Sequence, residues 1–132
     1  MKRLIIIGLL ASSALVSNLQ ADEFTDEDSQ RWMTQFEQVA QQGRDLWVSP
    51  ELGTNGVVCA QCHPNGANTH PETYPKFQKQ LGRVIALWEM VNWCMINPLE
   101  GEALTADDPR MIAIQAYLVK ERRGVPLSPG KH

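Results

Sequence analysis

Two cysteines and a histidine lie within five consecutive residues, Cys59-Ala60-Gln61-Cys62-His63. This spacing matches the c-type haem attachment motif. Two thiols can add to the two vinyl groups of haem, because two intervening residues let both sulfurs reach one edge of the porphyrin. The histidine after the second cysteine can give a nitrogen ligand to the iron. We therefore predict one covalently attached haem c, held by Cys59 and Cys62, with His63 as the proximal iron ligand.

Three other interpretations of these residues are weaker. A thioredoxin-like CxxC would accompany a βαβ pattern, which the sequence lacks. A zinc site built from Cys59, Cys62, His70 and Cys94 would lack the usual second CxxC or HxxxH pair. A plain disulfide between the two motif cysteines stays open. We expect His70 in a surface loop, because Asn, Thr and Pro surround it.

The sixth position on a haem iron decides much of its chemistry, and four sulfur side chains are candidates for it: Met90, Cys94, Met95 and Met111. Cys94 and Met95 are adjacent, so about 100° of rotation separates them around a helix, and only one can readily face the iron. Cys94 is the odd cysteine, and its other interpretation is a small, inert, buried residue. An open or weakly held sixth position would favour a ligand-binding sensor.

The N-terminus has the pattern of a secretory signal peptide. Lys2 and Arg3 precede an apolar run, and a polar stretch then ends at Ala21. The run is short and interrupted by serines, which disfavours a membrane span. We predict a signal peptide over residues 1–21, cleavage after Ala21, export to the periplasm and no stable membrane span after cleavage. Such a compartment is oxidising.

The length of 132 residues and the composition indicate one soluble domain. Lys and Arg number 12 against 15 Asp and Glu, without a basic patch, so nucleic-acid binding is not expected. We assign residues 22–124 to the domain and residues 125–132, with two Pro and one Gly, to a flexible tail. The acidic residues 22–28 could meet a basic redox partner protein, because charge steers encounter.

Three helices are predicted around the motif. The first follows Thr25, a capping residue before three acids. The second spans residues 81–96, and the third follows Asp108-Pro109 and ends before Gly124. Residues 64–75 form an irregular loop, and no β alternation is visible. The chain is therefore predicted to be all-α, with a large apolar cofactor completing a small core.

This layout resembles the class I cytochrome c family. In that family the first and last helices cross, with a small residue on one helix and an aromatic residue on the other, and Gly43 and Tyr117 match those positions. The family commonly supplies a methionine ligand from the loop before the last helix, but residues 96–109 contain no methionine. The resemblance implies a class I cytochrome c-like fold wrapped around one haem.

A second resemblance is closer, to the haem domains of SoxA and thiosulfate dehydrogenases. In those families the cysteine of an Asn-x-Cys block is the distal haem ligand, so the resemblance implies that Cys94 binds the iron. The matching residues are Tyr74-Pro75, Gly82-Arg83-Val84, Asn92-Trp93-Cys94 to Gly101, Leu104, Met111 and Ala116-Tyr117-Leu118.

The sequence also departs from these families. They commonly carry an arginine before the Asn-x-Cys block, where this chain has Glu89, Met90 and Val91, and Arg83 is the nearest arginine. They usually use a second haem or partner cytochrome, whereas this chain has one CxxCH. We therefore predict a one-electron carrier, with a role in sulfur-compound oxidation. The alternative is a His/Cys-ligated subunit of a thiosulfate dehydrogenase or SoxA-type enzyme. Arg83 and Lys76 could neutralise haem propionates or be surface charges.

Overall fold

The computed structural model describes residues 24–127. The predicted signal peptide and residues 128–132 of the predicted tail lie outside this range. No helix between residues 24 and 127 combines the length and apolarity that a membrane crossing requires. The regular elements are α1 (Asp26–Val48), α2 (Cys59–Cys62), β1 (Lys76–Gln78), β2 (Arg83–Ile85), α3 (Leu87–Ile96) and α4 (Pro109–Arg122).

The predicted starts of α1 and α4 are confirmed. The Thr25 hydroxyl accepts a hydrogen bond from the Asp28 amide at 3.1 Å, and the Asp28 carboxylate accepts one from the Thr25 amide at 3.3 Å. At α4, the Asp108 carboxylate accepts from the Arg110 amide at 2.9 Å, with proline at the first helical position. These side chains satisfy amides that have no partner inside a helix.

Helices α1 and α4 cross at a glycine, as the cytochrome resemblance implies. A β-carbon added to Gly43 would lie 2.5 Å from the carbonyl carbon of Ala113 and 2.8 Å from the β-carbon of Tyr117. Only hydrogen on Gly43 leaves room for the α4 backbone. The Trp47 ring then packs against Tyr117, with ring centroids 5.8 Å apart.

The core lies between α1, α3 and α4. Its members come from these helices and from the segments that follow α1 and α3. Met111 and Ile114 are fully buried at its centre. The cluster comprises Trp47, Leu52, Val91, Met95, Leu99, Leu104, Met111, Ile114, Tyr117 and Leu118, and Cys59 and Ala60 of α2 pack against it.

The prediction that the second helix begins at residue 81, with no strand before it, was wrong. Strands β1 and β2 pair antiparallel, and α3 begins at Leu87 rather than at residue 81. Gly82 has a φ of 68°, which turns the chain between the strands, and the β-branched pair that follows favours an extended backbone. The apolar residues between positions 81 and 96 therefore divide between β2 of the hairpin and the shorter helix α3.

The expectation that His70 is a surface residue was also wrong. Its exposed fraction is 4%, and its Nδ1 lies 3.1 Å from the Glu72 carboxylate. The loop folds back against α4 through a turn at Pro71–Thr73, and this long-range packing buries the imidazole. Its polar neighbours in sequence gave no sign of that contact.

Candidate haem-binding site

Helix α2 consists of the four residues from Cys59 to Cys62, so it holds the two motif thiols one turn apart. The His63 amide donates to the Cys59 carbonyl at 3.0 Å, which closes this turn. The Gln61 side chain accepts a hydrogen bond from the Val58 amide at 3.1 Å and caps its start. The turn therefore holds both thiols in one short, capped segment, as attachment to a single porphyrin requires.

The imidazole of His63 is oriented by main-chain contacts. Its Nδ1 lies 2.8 Å from the Ala67 carbonyl oxygen, and a carbonyl accepts only, so Nδ1 carries the proton. The other ring nitrogen, Nε2, then keeps its lone pair for a metal. The Trp47 indole N–H donates to the His63 carbonyl at 2.9 Å and anchors the residue to α1.

Neither of the residues that orient His63 could be recognised from the sequence pattern. Ala67 acts through its carbonyl, which no side-chain pattern reveals. Trp47 lies at an apolar position of α1, and such spacing carries no sign of its hydrogen bond.

The three cysteines all lie within the described range and are free thiols. Burial, and to a smaller extent negative charge on Cys94, raises the pKa of Cys59 to about 11. Burial likewise raises the pKa of Cys94 to about 11, with a smaller contribution from Cys62. Cys94 is therefore close enough to Cys59 and Cys62 for their charges to interact. At neutral pH these buried thiols keep their protons until a metal or a covalent partner replaces them.

The methionine candidates for the sixth ligand occupy different environments. Met95 is 2% exposed and Met111 is completely buried, and both belong to the core cluster. Met90 and Cys94 are half-buried and lie one turn apart on α3, so they share a helix face.

Asn92, two residues before Cys94, connects α3 to the segment that precedes α4. Its amide N–H donates to the Leu104 carbonyl at 2.8 Å, and its amide oxygen accepts from the Leu104 N–H at 2.9 Å. Asn92 is 7% exposed. Asn92 belongs to the Asn-x-Cys block, for which the sequence predicts no role of the asparagine itself. The structure gives it a positioning role for the helix that carries Cys94.

The two candidate propionate partners are engaged within the protein. Arg83 forms an ion pair of 2.6 Å with Glu89, and Lys76 lies 4.6 Å from the centroid of the Tyr74 ring. The residues of the zinc alternative are not gathered into a metal-binding group, since residues 24–127 contain no cluster of three or more His, Cys, Asp or Glu side chains suited to a metal ion.

The residues present fit a haem c. Two thiols lie one helical turn apart, the next residue is a histidine whose protonated nitrogen is already bonded, and a third, half-buried thiol lies within the range of their charges. Soft sulfur and imidazole nitrogen are the donors that haem proteins use for iron.

Several known proteins have sequences similar to this chain. The chain is 30% identical over 111 residues to the L-cysteine S-thiosulfotransferase subunit SoxA of Rhodovulum sulfidophilum, covering 79% of this chain and 38% of that protein. It is 31% identical over 90 residues to the thiosulfate dehydrogenase of Allochromatium vinosum, covering 59% of this chain and 33% of that protein. The thiosulfate dehydrogenase of Psychrobacter arcticus is 32% identical over 72 residues, which cover 48% and 22% of the two chains.

The matched region thus spans less than two fifths of each relative. The family profile described as SoxA/TsdA, cytochrome c domain, matches residues 42–127, which include the attachment motif, Cys94 and all of α4. A cytochrome c domain implies haem c as the cofactor and supports a role in electron transfer. From its motif, its helix crossing and this match, the chain belongs to the SoxA/TsdA cytochrome c domain family.

Proposed function

We propose that the mature protein is a periplasmic monohaem cytochrome c that transfers single electrons in the oxidation of sulfur compounds. The observation that carries the proposal is the hydrogen bond from His63 Nδ1 to the Ala67 carbonyl, directly after a turn that bears two thiols. This bond leaves Nε2 as the ligand atom. The single CxxCH in the sequence supports one haem per chain.

In this proposal Cys59 and Cys62 hold the haem by two thioether bonds, and His63 binds the iron. When bound, the haem supplies a reversible one-electron couple. The protein contributes rigidity: Trp47 anchors the His63 backbone to α1, and Ala67 fixes the plane of the ring. A ligand held in this way needs little rearrangement when the iron changes oxidation state, which suits an electron carrier.

We assign the sixth position to Cys94. Its half-buried thiol lies near the motif cysteines, whereas Met95 and Met111 are occupied by core packing. The Asn92 bonds to Leu104 support the assignment, because they restrain the helix that carries Cys94. A thiolate ligand stabilises ferric iron, so we expect a low reduction potential.

The proposal includes the organisation of the chain. Residues 1–21 are a cleaved signal peptide, residues 22–124 form the haem domain, and residues 125–132 are a tail. The relatives named for thiosulfate chemistry support a place in sulfur oxidation. Other redox proteins would deliver the electron to the haem and accept it from the haem.

The alternative is a catalytic subunit acting on a sulfur anion beside Cys94. The names of the relatives favour it. The surroundings of Cys94 favour the carrier, because the neighbour on its helix face is the uncharged Met90, and Arg83 is paired with Glu89. An enzyme for a dianionic substrate would need unpaired cations at this position.

The proposal is tested on protein matured in a bacterial periplasm with the cytochrome c assembly machinery. Intact mass should show one haem per chain, and electron paramagnetic resonance of the oxidised protein should show a low-spin thiolate-type signal. Added thiosulfate should leave the oxidised protein unreduced. Rapid reduction with turnover would establish the catalytic alternative instead. A Cys59→Ala or Cys62→Ala variant with unchanged haem attachment and spectrum would refute the assigned thioethers.

A further inference from the structure

Helix α1 projects beyond the helix on which it packs. It has 23 residues against 14 in α4, which correspond to lengths of about 34 Å and 21 Å. The end of α4 meets α1 near Phe36, where Lys120 pairs with Glu37 and the Arg123 guanidinium lies 5.2 Å from the Phe36 ring centroid. Residues 24–35 lie before this point and are exposed, apart from the half-buried Asp28.

The projecting part of α1 continues the apolar face that packs on α4. Met33, Phe36, Ala40, Gly43 and Trp47 follow an alternating spacing of three and four residues, which places them on one side of a helix. The last three are buried, whereas Met33 is 50% exposed. The apolar face of α1 therefore extends beyond the end of α4.

Two aromatic side chains widen this exposed face. Trp32 is 44% exposed and Phe24 is 79% exposed, and their rings meet edge to face at 5.2 Å. We call Phe24, Trp32 and Met33 the projecting stripe. Large apolar side chains clustered at one place on a surface are typical of an interaction site.

Charges of opposite sign lie at the two ends of the projecting stripe. Asp26 and Glu27 lie at its tip, and neither forms an ion pair with any residue between 24 and 127. Arg123 lies at its foot and likewise has no ion-pair partner in that range. About ten helical residues separate tip and foot, which corresponds to about 15 Å.

We propose that the projecting stripe pairs with the same stripe of a second copy of this chain, in an antiparallel two-fold dimer. A two-fold axis across the stripe brings the acidic tip of one copy to Arg123 of the other, and both such contacts form at once. The self-complementary order of charges favours a second copy over a wholly basic partner, which Arg123 would repel. The apolar side chains supply the attraction, and the charges set the direction.

Sedimentation velocity of the haem-loaded protein over a dilution series tests the proposal through mass, independently of redox activity. The wild type should form a dimer that dissociates on dilution, and the variant Trp32→Glu with Met33→Glu should stay monomeric. Ile112→Glu is the matched control, because Ile112 is 47% exposed on α4 outside the stripe. It should dimerise like the wild type. All these positions are exposed, and an unchanged haem spectrum would show that each variant is folded.

Charge reversal tests the antiparallel direction. Asp26→Lys with Glu27→Lys gives a basic tip, and Arg123→Glu gives an acidic foot. Each variant alone should dimerise about tenfold more weakly, since both of its contacts become repulsive. An equimolar mixture should recover dimerisation, because a basic tip then meets an acidic foot and the unaltered tip meets the unaltered Arg123.

Three results would overturn the inference. A wild-type protein that is monomeric at every concentration would show that the stripe does not pair with itself. A dimer that survives the double glutamate substitution would place the interface elsewhere. A mixture that fails to recover dimerisation would exclude the antiparallel arrangement.

Discussion

The side chain of Asn92 forms hydrogen bonds with both main-chain groups of Leu104, donating to its carbonyl at 2.8 Å and accepting from its N–H at 2.9 Å. The side-chain amide of Asn92 therefore bonds to Leu104 as a backbone peptide group would, and it joins α3 to the segment that leads into α4. Both residues are buried, so no water replaces these bonds. The position of Cys94, half a turn further along α3, depends on this connection.

Replacing Asn92 by leucine should therefore destabilise the protein strongly. Both main-chain groups of Leu104 would be buried without a partner, at a cost of about 1–3 kcal/mol each. Denaturant unfolding of the haem-loaded protein measures the change. The control is Asn97→Ala, because the Asn97 side chain donates to the Trp93 carbonyl at an exposed position. Its loss should lower the free energy of unfolding by less than about 1 kcal/mol. Equal losses for the two variants would contradict the structural role of Asn92.

Gly43→Ala should also lower the free energy of unfolding. The new methyl group would overlap the Ala113 carbonyl, and backbone can relieve such overlap only if the two helices separate. Overpacking of this kind costs about 1–3 kcal/mol, and a backbone clash belongs at the upper end. Gln42→Ala, at the exposed neighbouring position, should change stability by less than about 0.5 kcal/mol. If Gly43→Ala were as stable as the wild type, α1 and α4 would have to lie farther apart at this position than the structure shows.

Cys94→Met should raise the reduction potential markedly. Thiolate stabilises ferric iron, and a thioether is a neutral ligand that favours ferrous iron. Potentiometric titration of the matured protein measures the change, and the loss of the thiolate-type resonance signal should accompany it. Met95→Leu is the matched control and should leave both readouts unchanged, since Met95 is a core residue. A potential unaffected by Cys94→Met would remove Cys94 from the iron.

Glu89 should make the start of α3 sensitive to acid. Its carboxylate accepts from the Ala86 amide at 2.8 Å and pairs with Arg83, and these contacts, the amide first, lower the pKa of Glu89. A depressed folded-state pKa stabilises the protein above the ordinary carboxyl pKa, and this contribution is lost as the pH falls through the depressed value.

The comparison is between the wild type and Glu89→Gln, whose amide oxygen can still accept from Ala86. At pH 7 the wild type should have a higher melting temperature than Glu89→Gln. This difference in melting temperature should become smaller as the pH is lowered towards 3. A difference that is constant over this range would show that the charge on Glu89 does not contribute.

Much of this protein can be predicted from short stretches of sequence. The attachment motif and the Thr25 and Asp108 caps are set by neighbours in sequence, whereas the Gly43 crossing was implied by the family resemblance. Such features depend on local geometry, which is the same wherever the residues occur. The family resemblance rested on the same short motifs, and the sequence comparisons confirm it.

The tertiary structure decided the remainder. The burial of His70, the carbonyl of Ala67 beside His63, the bonds of Asn92 to Leu104 and the projection of α1 past α4 all depend on which segments meet. Main-chain carbonyls and amides are present at every position, so the sequence alone cannot single out the one that a side chain will bind. Whether a given apolar residue is buried likewise depends on where its partner helix ends, which is a property of the packed chain.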